Sequence, residues 1–269
     1  MYAVDAAMRR SHRIVQIGTE RGQILLPTAF ASEPDGTFAV ADTPNRERIQ
    51  VFASDGTFLS GFFPAGAPAF SVVLDGLAIG GVGSLQYDGQ TILISEPAGG
   101  ALVSEYSASG TPIRSFGTLR PVASLGPDVV TLLNIGLPLF DPHGGYAFVF
   151  QTGVPLFRRY DKDGRFLFER HIEGPEIDPL VNNLPTIWPS RPPGSREIPV
   201  QHPIVRTAAF DRQGNLWVAF VLPVIYVYNP QGEKLRTVQL QTPSGVVAAT
   251  SLFFDGRGQL LVTPGCYIF

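Results

Sequence analysis

Glycine turns recur along this chain in two alternating families, and their spacing constrains the fold more than any other feature. One family falls at Gly36 (PDG), Gly89 (YDG), Gly145 (DPHGG), Gly214 (DRQG) and Gly258 (DGRG); the other at Gly22 (TERG), Gly56 (SDG), Gly110 (ASG), Gly164 (KDG) and Gly232 (PQG). Asp, Asn or Ser followed by Gly between apolar runs marks a hairpin, because glycine supplies the positive φ such turns need. From a first-family glycine to the next second-family glycine the separation is 20, 21, 19 and 18 residues. Two alternating strands fit each interval, for instance Phe38 to Asp42 with Arg48 to Ala53, or Leu216 to Phe220 with Val224 to Tyr228. Adding the strands outside each turn gives a four-stranded antiparallel unit, the signature of a β-propeller blade.

The sequence therefore predicts an all-β, six-bladed β-propeller occupying residues 1–269 as a single domain. Four complete blades start near residues 28, 82, 135 and 205, and each terminal blade has three strands. The partner turn of Gly22 falls near residue 2, and that of Gly258 falls beyond Phe269. Either the chain is a fragment of a longer one or its N-terminal segment closes the ring against the last blade. A β-sandwich also has short strands and turns, but it does not predict paired glycine families at fixed separation.

Composition agrees. With 29 Gly and 24 Pro the chain is not mainly helical, and 16% charged with 11% aromatic residues is the reverse of a disordered composition. Cys266, the one cysteine, excludes an intrachain disulfide or a Cys-based zinc site and reads as a buried strand residue. A net charge of −3 and a pI near 5.8 argue against a globally basic nucleic-acid binder. The longest apolar run, Leu216 to Tyr228, contains Pro223 and falls short of the roughly 20 residues a membrane-crossing helix needs. No signal-peptide run opens the chain, so the reading is cytoplasmic, or secreted or periplasmic if an upstream targeting segment is missing.

Residues 27–62 carry a further pattern: a DG turn, an apolar strand ending in Asp42, Asn45 in the next loop, then Arg48-Ile49-Gln50-Val51-Phe52 and a second DG turn at Asp55-Gly56. This stretch resembles an NHL repeat, with a loop one residue longer because Arg46 and Glu47 both fall between Asn45 and Arg48. The resemblance implies a six-bladed propeller and supplies no activity, since propellers host binding modules, lyases and hydrolases alike.

Length variation is confined to the blade-to-blade connections, which share one rim with the turns between second and third strands. Phe62 to Gly83 is apolar and Gly-rich, Gly117 to Asn134 includes an apolar run after Asp128, and His171 to Pro203 holds eight prolines and Trp188. Variable loops on a rigid scaffold are where binding and catalysis concentrate. On that rim Arg9, Arg10 and Arg46 have no acidic partner in sequence, while Arg48 has Asp42 and Glu47 near it. With Trp188, these four arginines make up the candidate ligand-binding set, suited to a small anionic ligand or an acidic protein partner because guanidinium forks grip carboxylate or phosphate. No catalytic residue is nominated. The alternative is a metal-dependent hydrolase or lyase, lactonase-like, at the channel mouth, with Ca or Zn held by His171, His202, Asp128 and Glu96. The spacing of those four enforces no ligand geometry, so the primary reading has no cofactor.

Overall fold

In the computed structural model, which describes residues 1–4, 9, 11–43, 47–65, 72–74, 77–79, 84–121, 127–188, 202–243, 245–265 and 267–269, the ten turn glycines all have positive φ, from 75° at Gly214 to 98° at Gly145. An Asp or Asn three residues before the glycine completes several of these turns. Asp161 Oδ1 accepts the backbone N–H of Asp163 at 2.9 Å and of Arg165 at 2.8 Å. Asp211, Asn229 and Asp255 repeat the arrangement at their own turns. The side chain thus satisfies backbone donors that a tight turn leaves open.

The chain is all-β with minimal helix, and its larger sheets are propeller blades. Numbering by the six expected units, blade 2 comprises Pro27–Ser32, Phe38–Asp42, Arg48–Phe52 and Phe58–Phe62; blade 3 comprises Leu85–Tyr87, Thr91–Ser95, Ala101–Ser107 and Pro112–Thr118. Blade 4 comprises Gly136–Phe140, Tyr146–Phe150, Leu156–Tyr160 and Phe166–His171; blade 5 comprises Val205–Phe210, Leu216–Phe220, Ile225–Tyr228 and Lys234–Val238. Blade 6 has three strands, Ser251–Phe254, Leu260–Thr263 and Tyr267–Ile268. Every strand pairs antiparallel with its sequence neighbour, and the first strands of successive blades lie side by side from blade 2 to blade 6.

Middle strands read as continuous apolar runs because they are covered on both faces. In blade 2, Ala39, Ala41, Ile49 and Val51 pack toward blade 3, while Phe38, Val40 and Phe52 pack the other way. Equivalent layers join blades 3 and 4 through Leu93, Phe148 and Phe150, blades 4 and 5 through Val149, Val218 and Tyr226, and blades 5 and 6 through Trp217, Leu252 and Val262. Fourth strands face water on the perimeter, and residues 234–237 are all exposed.

Five blades form among the described residues, which corrects the expected six. Tyr2–Val4 does pair with Ser11–Arg13, but Gln16–Ile17 then pairs in parallel with Gln23–Ile24, so no hairpin forms around Gly22. The cause lies in blade 2. Arg48 captures the carbonyls of Thr19, Glu20 and Gln23, and Gln50 accepts the Gly22 N–H at 2.8 Å. This holds residues 19–25 against blade 2 instead of letting them fold back as an outer strand. Val15 and Ile24 are buried against Phe38, Val40 and Phe52, so the N-terminal segment occupies a neighbouring blade's place without building its sheet.

The long connections carry small elements of their own: hairpins Val72–Leu74 with Leu77–Ile79 and Leu240–Thr242 with Gly245–Val247, and helices Pro127–Leu132 and Asp178–Asn182. No described helix is long and apolar enough to cross a membrane. Cys266 lies outside the described residues.

Candidate functional site

Of the expected rim residues, Arg9, Arg48 and Trp188 are described. Arg10 and Arg46 lie outside the described residues; Arg9 is exposed just before Ser11–Arg13. Arg48 is 8% exposed, and all five of its N–H groups are used within the chain. Nε and Nη2 grip Asp42 at 2.8 and 3.0 Å, Nη1 donates to Thr19 O at 2.6 Å and Glu20 O at 3.2 Å, and Nη2 also donates to Gln23 O at 2.8 Å. A guanidinium has five donors and no acceptor, so Arg48 has none left for a ligand, and its role here is to fasten the N-terminal segment.

Trp188 sits at a different blade, half-buried beside the Gly153 turn of blade 4. Arg120 lies there too, donating to Val154 O and Thr152 O at 2.9 Å each, with its guanidinium 4.0 Å from the centre of the Phe150 ring. Burial, reinforced by the nearby Arg158, lowers the Arg120 pKa to about 10.

Three side chains of the alternative metal set are described, each on a different element. Glu96 accepts the Tyr106 hydroxyl at 3.0 Å in blade 3, His171 ends the outer strand of blade 4 with Nε2 4.0 Å from Glu169, and His202 is exposed ahead of blade 5. The Asp128 side chain lies outside the description. Among the described residues no three His, Cys, Asp or Glu side chains gather as a metal would require. Glu96 instead faces Glu47, which is 9% exposed; burial and the Glu96 charge push the Glu47 pKa up to about 7. Burial first, and Glu96 second, push Tyr106 to about 12.

A site the sequence reading passed over lies between blades 5 and 6, on the side of the tight turns. A cleft of about 490 Å³ is lined by Arg212, Arg236 and Arg257 together with Trp217, Phe254 and Phe269. The first-family turns of the two blades position two of the arginines: Arg212 follows Asp211 in DRQG, and Arg257 follows Gly256 in DGRG. Arg236 projects from the outer strand of blade 5 with its guanidinium 5.2 Å from the Trp217 ring centre.

Two carboxylates lie nearby and one is fully engaged. Asp211 Oδ1 accepts the Gln213 and Asn215 backbone N–H groups, and Oδ2 accepts Asn215 Nδ2 and Trp217 Nε1, both at 2.9 Å. Asp255 pairs with Arg257 at 3.3 Å and has its pKa lowered chiefly by the Gln259 backbone N–H. Among the described residues neither Arg212 nor Arg236 forms an ion pair. The cleft therefore offers an excess of guanidinium next to aromatic surface, chemistry suited to anionic groups. The sequence signal was an arginine inside the glycine turns of two successive blades.

No protein-family model matches the chain, and no curated protein matches it significantly. Among solved structures it is similar to a protein of unknown function from Bacteroides caccae, with a TM-score of 0.49 and 14% identity over 88% of this chain and 69% of that one. It is also similar to Sqt1 from Saccharomyces cerevisiae, with a TM-score of 0.55 and 10% identity over 97% of this chain and 62% of that one. At 10% identity the likeness to Sqt1 extends to the fold alone.

Proposed function

We propose that this chain is a non-catalytic propeller scaffold that binds an acidic protein segment at the arginine cleft between blades 5 and 6. The observation that carries the reading is the pair Arg212 and Arg236, exposed on a cleft whose buried carboxylate is already saturated by four local donors. Guanidinium excess steers and orients acidic partners more than it adds raw affinity. In this reading the anionic site anticipated at the long-loop rim moves to the tight-turn side, because Arg48 is committed to Asp42 and the N-terminal segment. The NHL-like kinship of blade 2 rests on that same Asp42–Arg48 pair, and the N-terminal segment counts as a sixth, degenerate blade.

An Arg212→Ala, Arg236→Ala, Arg257→Ala triple variant tests it against a glutamate-rich peptide. The wild type is expected to bind with salt-sensitive affinity, and the variant at least about tenfold more weakly, since charge-assisted hydrogen bonds are each worth about 1.5–3 kcal/mol. Equal binding by both proteins, or binding by neither at low salt, overturns the proposal.

A further inference from the structure

A second cleft, of about 390 Å³, lies between blades 3 and 4 and is independent of the arginine cleft. Tyr160, on the third strand of blade 4, lines it and is 3% exposed, yet its hydroxyl proton finds no acceptor among the described residues. The Arg158 guanidinium beside it can donate to the phenol oxygen but cannot accept its proton, so that proton has no acceptor among the described residues. Buried hydroxyls are almost always satisfied. Burial raises the Tyr160 pKa and keeps that proton in place as a donor.

The surrounding charges point the same way. Arg158 donates Nε to Glu169 at 2.6 Å and Nη1 to the Thr118 carbonyl, and its guanidinium also reaches the Tyr160 hydroxyl oxygen. Its guanidinium lies 5.2 Å from the centre of the Phe150 ring, which Arg120 approaches at 4.0 Å. Two cations therefore share one ring and one carboxylate, and the buried Arg120 Nε is also without an acceptor. Among the described residues around the cleft, two guanidiniums face the one carboxylate of Glu169. Gly117, with φ of 82°, flanks the phenol, and a side chain there would come within 3.0 Å of the hydroxyl oxygen, so glycine leaves that side open. Leu119, Pro121 and Phe166 supply an apolar wall.

We infer that the cleft between blades 3 and 4 is a binding site for a small carboxylate with an apolar body, its oxygens taken by the Tyr160 hydroxyl and the Arg158 guanidinium and its body laid against Leu119, Pro121 and Phe166. The dimensions suit a small molecule, since pockets of about 300–1,000 Å³ are typical for such ligands. Glu169 opposes the bound charge and keeps the affinity moderate.

The test is calorimetric titration of the whole chain with benzoate, acetate and inorganic phosphate. Benzoate is expected to saturate, more tightly than acetate. Tyr160→Phe, which removes a hydroxyl whose proton finds no acceptor among the described residues and should leave the unliganded melting temperature unchanged or higher, is expected to raise the benzoate Kd at least tenfold. Glu169→Gln is expected to lower it, and this half-exposed position decides the matter if Tyr160→Phe folds poorly. Arg212→Ala should bind benzoate like the wild type. The inference is overturned by benzoate binding weaker than about 10 mM, by phosphate binding in place of benzoate, by unchanged affinity in both cleft variants, or by loss of binding in Arg212→Ala.

Discussion

The space between blades 4 and 5 is plugged, and the space between blades 5 and 6 is open, although the same outer strand of blade 5 borders both. On the plugged side, residues 172–184 fold back after blade 4. Ile172 and Ile177 are buried against Tyr226 and Val218, and Leu180, Val181 and Leu184 pack over them. The segment also brings acids: Glu176 accepts the Tyr226 hydroxyl at 2.5 Å, and Lys234 sits 3.2 Å from the centre of the Tyr226 ring while its Nζ lies 3.4 Å from the Glu173 carbonyl. On the open side the connection 239–250, QLQTPSGVVAAT, contains no acid. It buries Leu240 and Ala249 and leaves Arg236 without a carboxylate. The cation of one face has been answered from within the chain, and that of the other has not. A cleft is available to an acidic partner where the local connection fails to supply its own.

Breaking the plug gives the largest expected effect. Ile177 is fully buried, and Ile177→Ala should cost about 2–5 kcal/mol by leaving a cavity, read as a lower midpoint in urea unfolding. The Arg cleft should be untouched, so acidic-peptide affinity measured well below the unfolding transition should not change.

The comparison extends to how carboxylates are housed. Glu176 has its pKa lowered by the Tyr226 hydroxyl, so its contribution is present above the ordinary carboxylate pKa and fades as pH falls. Glu47 meets another carboxylate and is raised to about 7. The folded state then binds a proton that the unfolded state has released, so stability is fullest below about pH 4.5 and declines as pH rises toward 7, by about 3 kcal/mol at most. Glu47→Gln should flatten that decline in a pH series of melting curves. A wild-type profile with no loss between pH 5 and 8 would show that Glu47 is not held in this way.

Smaller effects sharpen the contrast. Tyr226→Phe removes the hydroxyl that Glu176 accepts and should lower stability by about 1 kcal/mol, with faster hydrogen exchange confined to residues 172–184. On the open side, Gln213→Glu places a carboxylate on the arginine cleft and should weaken acidic-peptide binding about threefold, in keeping with a single exposed charge pair worth about 0–1 kcal/mol.

The glycine turns made the blades legible because each is a local event: an Asp, Asn or Ser and a Gly within four residues set the turn whatever lies elsewhere. Residues 1–24 misled for the opposite reason. Their TERG segment reads as another hairpin, but its carbonyls are taken by Arg48, which is 26 positions downstream of Gly22 and reaches it only through folding. The Asp42–Arg48 pair was visible as a motif, and its burial was not. The turn arginines Arg212 and Arg257 were visible in sequence, but their meeting with Arg236 was not, for a related reason. Arg212, Arg236 and Arg257 sit in a turn, an outer strand and another turn, and only the packing of blade 5 on blade 6 brings them together. Tyr160 reads simply as a core aromatic; nothing in the sequence shows that its hydroxyl proton finds no acceptor among the described residues.

The cleft between blades 5 and 6 is proposed to receive acidic groups because, among the described residues, neither Arg212 nor Arg236 forms an ion pair. NMR titration of the isotopically labelled protein with a glutamate-rich peptide, following the Trp217 indole N–H and the arginine Nε–H signals, tests this most directly. Saturable, salt-sensitive shifts are expected at Trp217, Arg212, Arg236 and Arg257, with Arg48 and the residues of 172–184 unmoved. Shifts centred on the long-loop rim around Arg9, or on the plugged interface around Lys234, would contradict it.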